Sequence, residues 1–81
     1  MGTRVAASRQ SRIVIDPEIL AGKPVVRGTR IPVELVLKRL GDDLDVASIL
    51  EAFPRLREDD IKACLEYAHA MVEGESMFEV D

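Results

Sequence analysis

The run Gly22-Lys23-Pro24-Val25-Val26-Arg27-Gly28-Thr29-Arg30-Ile31-Pro32-Val33 limits what this chain can fold into more than any other stretch. Each proline fixes its own φ near about −65° and biases the residue before it towards extended backbone. Lys23 and Ile31 are thereby kept out of helix, and Val25-Val26 reads as a short buried strand. Gly28-Thr29 between Arg27 and Arg30 predicts a two-residue turn, with Gly28 supplying a positive φ. Pro32 suits the first turn of a helix, where its missing N–H is no loss. A strand, a turn and a helix start fall within twelve residues, and Lys23, Arg27 and Arg30 are carried on a stiffened backbone.

Periodicity organises the rest. Ile13-Val14-Ile15 reads as a strand ended by Asp16-Pro17, and Pro17 to Ala21 as one helical turn before Gly22. A first helix is predicted over 32–40, with Val33, Val36, Leu37 and Leu40 on its inner face and Gly41 as its terminator. Asp45 is a suitable N-cap for a second helix through Phe53, with Val46, Ile49, Leu50 and Phe53 facing inward. Pro54 stops it, and Leu56 is the buried residue of the turn. A third helix is predicted over 58–73, with Ile61, Cys64, Leu65, Ala68, Met71 and Val72 as its inward stripe. The expected fold is mainly α. It is a three-helix, helix-turn-helix (homeodomain-like) domain over 12–73 with a small N-terminal β element, between a flexible arm (1–11) and a C-terminal tail (74–81).

Eighty-one residues form a thin core, and the one cysteine allows no internal disulfide, which suits a reducing, cytoplasmic setting. No stretch is apolar enough to span a bilayer and the N-terminus lacks a signal-peptide core, so no membrane association is expected. Dimerisation is the expected stabiliser, through the β-branched strands Ile13–Ile15 and Val25–Val26. Charge is divided: residues 1–40 hold eight Lys and Arg against three Asp and Glu, and residues 41–81 hold three against twelve. That asymmetry implies two partners, one two-signed partner, or mutual neutralisation of the halves within a dimer.

No catalytic constellation is present, so no enzyme activity, metal or cofactor is expected. His69 has no nucleophile at a motif spacing and reads as a partly buried structural or interface residue. Cys64 reads as a small core hydrophobe. Gly22-Lys23 lacks the glycine pattern of a phosphate loop, and Asp42-Asp43-Leu44-Asp45 lacks the alternation of an EF-hand. Lys23, Arg27, Arg30, Lys38 and Arg39 form the candidate DNA-binding set, each neutralised phosphate adding a salt-dependent increment. Arg27 or Arg30 would alternatively pair with Asp16, Glu18 or Glu34. Arg4, Arg9 and Arg12 are candidates for an arm reaching nucleic acid. Glu58, Asp59 and Asp60 open the third helix, where DNA would repel them, and Arg57 at its N-cap offers no short acceptor.

The twelve-residue run, with Ile15-Asp16-Pro17-Glu18 before it and Phe53-Pro54-Arg55-Leu56, Asp60-Ile61, Cys64-Leu65 and Tyr67-Ala68 after it, resembles the VapB-type antitoxin-like family. This small prokaryotic group was long catalogued as a domain of unknown function and is placed among helix-turn-helix proteins. The resemblance spans Arg12 to Glu73. It implies an antitoxin of a type II toxin–antitoxin pair, binding and neutralising a PIN-like ribonuclease toxin and repressing its own operon by binding operator DNA as a homodimer. The alternatives are a stand-alone small transcriptional regulator without a toxin, or a pure interaction module. Within the tail, Met77, Phe78 and Val80 among acidic residues are the candidate toxin-binding anchors.

Overall fold

The computed structural model describes residues 4–5 and 12–74. Three antiparallel strands, β1 (Arg4–Val5), β2 (Ile13–Ile15) and β3 (Pro24–Val26), precede helices α1 (Val33–Asp43), α2 (Val46–Ala52) and α3 (Glu58–Gly74). The sheet order is β1-β2-β3, with Val5 opposite Val14 and Val14 opposite Val25. Part of the segment expected to be a flexible arm thus pairs as an edge strand.

Side chains alternate across a strand, so Ile13 and its partner Val26 face the helices and join Val33, Val36, Ile49 and Cys64 in the core. Val14 and Val25, opposite each other on the second face, are also buried. Four of the residues assigned above to a dimer interface, Ile13, Val14, Val25 and Val26, are therefore buried within one copy, and Ile15 is half-buried. Around the core, Ile31, Leu37, Val46, Leu50, Phe53 and Tyr67 form a partly buried rim.

The turn after β3 is shifted by one residue from expectation. Thr29 N–H donates to the Val26 carbonyl at 3.0 Å, so Arg27 and Gly28 occupy its centre, with Gly28 at φ +81°. A positive φ at the second central residue is the type II arrangement. Thr29 Oγ1 locks it by donating to Val26 O at 2.8 Å and accepting from Ile31 N–H at 2.9 Å. The chain then returns along β3, Val25 bridging to Pro32.

Two further local readings need correction. The helical turn expected over Pro17–Ala21 lies instead at Leu20–Gly22 and is left-handed: Leu20, Ala21 and Gly22 have φ of 49°, 58° and 85°. An Asx turn, Glu18 N–H to Asp16 Oδ1 at 2.9 Å, uses the Asp16-Pro17 corner, and Lys23 N–H must then reach back to Leu20 O to re-enter the sheet. Nor does Gly41 end α1. The helix continues through it to Asp43, and Leu44 takes the left-handed position at φ +56°, its N–H donating to Leu40 O at 2.8 Å. Asp45 caps α2 as expected, accepting from Ser48 N–H at 3.2 Å.

Candidate functional site

Lys23 and Arg27 flank the three-residue strand β3, so their Cα atoms stand roughly 13 Å apart at about 3.3 Å per residue. Of the five candidate DNA-binding cations, Lys23, Lys38 and Arg39 serve local packing. Lys23 Nζ donates to Glu34 Oε2 at 2.8 Å, and Lys38 Nζ lies 3.6 Å from Asp42 Oδ2 one turn further along α1. Glu34, Lys38 and Asp42 share one face at four-residue spacing, so Lys23 begins a row of alternating charge, a pattern typical of a solvated helix face. Arg39 sits over the Phe53 ring at 5.3 Å, a cation–π contact joining α1 to the end of α2. Arg27 and Arg30 are exposed on either side of the Gly28-Thr29 corner. The structure therefore separates the five residues, and Arg27 and Arg30 are the two that the turn after β3 carries at the surface.

Arg12, a candidate for reaching nucleic acid, is held elsewhere. Its Nη1 donates to Asp60 Oδ1 at 2.9 Å, and its Nη2 lies 3.7 Å from Asp59 Oδ2. Asp60 is only 7% exposed, and its second oxygen accepts from Arg57 N–H at 2.9 Å. The third residue of α3 thus reaches back to the N-cap backbone, which is half of a capping box. Asp60 thus satisfies the N–H of Arg57, and the row of three carboxylates is partly neutralised by Arg12. Sequence reasoning did not count Arg55 and Arg57 among the candidate binding cations, yet both are exposed in the turn before α3. Their placement around the buried Leu56 was the available signal.

Acidic and apolar groups meet at the other end of α1. Leu44 is 82% exposed, on the corner between α1 and α2. Asp43 Oδ1 accepts from Asp45 N–H at 3.0 Å, so the carboxylates around Leu44 are set by the corner itself. The inward stripe expected on α3 holds for Ile61 and Cys64, with Ala63 buried beside them, and in part for the half-buried Ala68; Leu65, Met71 and Val72 are 48%, 48% and 72% exposed. Seventeen residues make a helix of about 25 Å, and its contact with the core reaches Tyr67. His69 is exposed as well, 3.9 Å from Glu73.

Cys64 is fully buried, and burial together with the nearby Asp60 carboxylate pushes its thiol up to about 12. It is a core residue and poorly suited to nucleophilic work. Among the described residues there is no cluster of His, Cys, Asp and Glu that would hold a metal ion, and no helix is long and apolar enough to cross a membrane. Met77, Phe78 and Val80 lie outside the described residues, as does Arg9.

A small antiparallel sheet closed by three helices, with Leu44 and the cations of the Gly28 turn presented at the surface, defines a mainly helical fold with a small N-terminal sheet. The chain belongs to the DUF433 family, described as a protein of unknown function, whose model matches residues 13–68. This corrects the resemblance drawn from the sequence, because the match is to DUF433 and not to a VapB-type family as such. A crystal structure of a DUF433 member protein from Anabaena variabilis is similar, with a TM-score of 0.71 and 27% identity over 78% of this chain and 62% of that one. An uncharacterized protein, y4eO, of Sinorhizobium fredii is 41% identical over 66 residues, 82% of this chain. An uncharacterized protein of Archaeoglobus fulgidus is 56% identical over 23 residues, 28% of this chain. The chain spans 29% of the length of the Sinorhizobium relative and 64% of the Archaeoglobus one.

Proposed function

We propose that this DUF433 protein is the non-catalytic antitoxin of a type II toxin–antitoxin pair, neutralising a PIN-like ribonuclease and contacting its own operator DNA. The observation that carries the protein-binding half is Leu44. A large apolar side chain is held almost fully in solvent by a left-handed backbone, between the carboxylates of Asp43 and Asp45. An apolar anchor ringed by negative charge complements a basic surface with a hydrophobic recess, and an RNA-cleaving enzyme presents a basic face to its substrate. The acidic tail with Met77, Phe78 and Val80 would extend the same mode of contact.

The DNA-binding half rests on Arg27 and Arg30, carried on a turn fixed by Gly28 and the two Thr29 hydrogen bonds. A stand-alone helix-turn-helix regulator is the second reading, favoured by Arg55 and Arg57 in the turn before α3, where such domains approach the groove.

Co-expression with the product of the adjacent gene tests the first reading. The full chain should restore growth and suppress ribonuclease activity, whereas Leu44→Asp should fold normally and protect at least tenfold less well. Operator binding should weaken on joint replacement of Arg27 and Arg30 by Ala, with the salt slope falling by about one unit per lost phosphate contact. DNA binding by a chain that neither binds nor protects against the neighbouring product would leave the regulator reading in place.

A further inference from the structure

Arg12, read from the sequence as a candidate to reach nucleic acid, connects to the Arg27–Arg30 corner in another way. Strand register places it opposite Arg27, one step beyond the paired Ile13 and Val26, and its carbonyl accepts from Arg27 N–H at 2.7 Å. Its guanidinium lies at the start of α3, on Asp60 at 2.9 Å and beside Asp59 at 3.7 Å. One residue thus joins the corner to the helix, by its main chain on one side and its side chain on the other. The far end of the corner is fastened separately. There Thr29 Oγ1 makes its two hydrogen bonds, and Val26 N–H donates to Ile31 O at 3.0 Å. The near end, at Arg27, is held to β2 through Arg12.

We propose that the Arg12–Asp60 ion pair is a positioning device for this corner, so that DNA affinity depends on a shielded carboxylate that never meets DNA. This role rests on the DNA-binding half of the proposed function and adds to it two residues behind the contact surface. A loop already held in its bound conformation loses less freedom on binding, and the complex is tighter for it. Asp60 suits the task because it is only 7% exposed and both its oxygens are engaged, one by Arg12 and one by Arg57 N–H. Asp59, with a side chain 64% exposed, would anchor a guanidinium weakly. The sign of one substitution separates positioning from simple electrostatics. Asp60→Asn removes a negative charge near the corner and releases Arg12, so charge alone would tighten DNA binding. Positioning requires the opposite, because the released Arg12 no longer steadies Arg27.

Fluorescence anisotropy with a mixed-sequence DNA duplex, on full chains shown to be folded by circular dichroism, tests this. Asp60→Asn should bind about tenfold more weakly than the parent, with an unchanged salt slope because the same phosphates are still contacted. Asp59→Asn, the same charge change one residue earlier, should bind as tightly as the parent or more tightly. The double variant Arg12→Gln with Asp60→Asn keeps the net charge and removes both members of the pair, so no buried charge is stranded. It should bind as weakly as Asp60→Asn. Without DNA, NMR relaxation of the backbone amides should show Arg27 and Gly28 loosened in both Asp60→Asn chains and Thr29 unchanged. Tighter binding by Asp60→Asn would make Arg12 a direct phosphate contact and overturn the proposal. A double variant that binds like the parent, or unaltered relaxation at Arg27, would overturn it too. A parent chain that binds no DNA would remove the DNA reading, and relaxation alone would then decide whether the ion pair holds the corner.

Discussion

At the scale of the residue, Asp60 does the most with the least exposure. One carboxylate caps α3 through Arg57 N–H and holds the Arg12 guanidinium, joining residues 48 apart in sequence. Removing one partner of a buried charged pair strands the other, at a cost of roughly 2–4 kcal/mol for a pair as partly exposed as this one. Asp60→Ala should therefore lower the urea midpoint strongly. In a double-mutant cycle with Arg12→Ala, the combined loss should be smaller than the sum of the two single losses. Additive losses would mean that the ion pair contributes nothing beyond the cap. The sequence showed three carboxylates in a row, but not that one of them turns inward. That choice depends on Arg12, which nothing in the local pattern of α3 announces.

At the scale of the element, helix ends were the least legible part of the chain. Gly41 looked like a terminator because glycine tolerates the left-handed position at low cost, yet α1 uses Leu44 there. The extra turn puts Asp42 beside Lys38 and carries the corner to Asp45, the cap of α2. A non-glycine residue in that conformation carries strain of about 1 kcal/mol or more. Leu44→Gly should hence raise stability by roughly 0.5–1 kcal/mol by thermal melting while weakening toxin neutralisation, because strain relief and loss of the anchor are separate effects. A variant that gained stability and protected as well as the parent would remove Leu44 from the partner surface. The stripe on α3 was misread for another reason. Helical periodicity drew the apolar side of the helix too wide: Cys64 is buried and Tyr67 packs against the core, so Leu65 between them turns outward, as Met71 and Val72 do.

At the scale of the whole molecule, the strand–turn–helix run and the three helices were readable because prolines, caps and apolar spacing all point to one arrangement. The division of charge was readable too, but not its use, since Lys23, Lys38, Arg39 and Arg12 turn to local partners that only the folded chain brings near. The buried thiol of Cys64 gives the fold a measurable alkaline limit. The unfolded chain releases that proton near 9.0, while the folded chain holds it to about 12. The folded state then binds more protons between those values, so stability should fall as pH rises from about 9 towards 12. Cys64→Ala should flatten this part of the profile in denaturant titrations, and an unchanged slope would assign the alkaline loss to other groups.

The Arg12–Asp60 clasp also sets the cooperative unit of the fold. It fastens the entry to β2 to the first turn of α3, with both other helices lying between them in sequence. Separating the start of α3 therefore releases the sheet as well, and slow amide exchange should appear together in β2, β3 and the first turns of α3. The last turns of α3 lie beyond that closed loop and open on their own, so the chain has one indivisible body and a handle that frays separately from it.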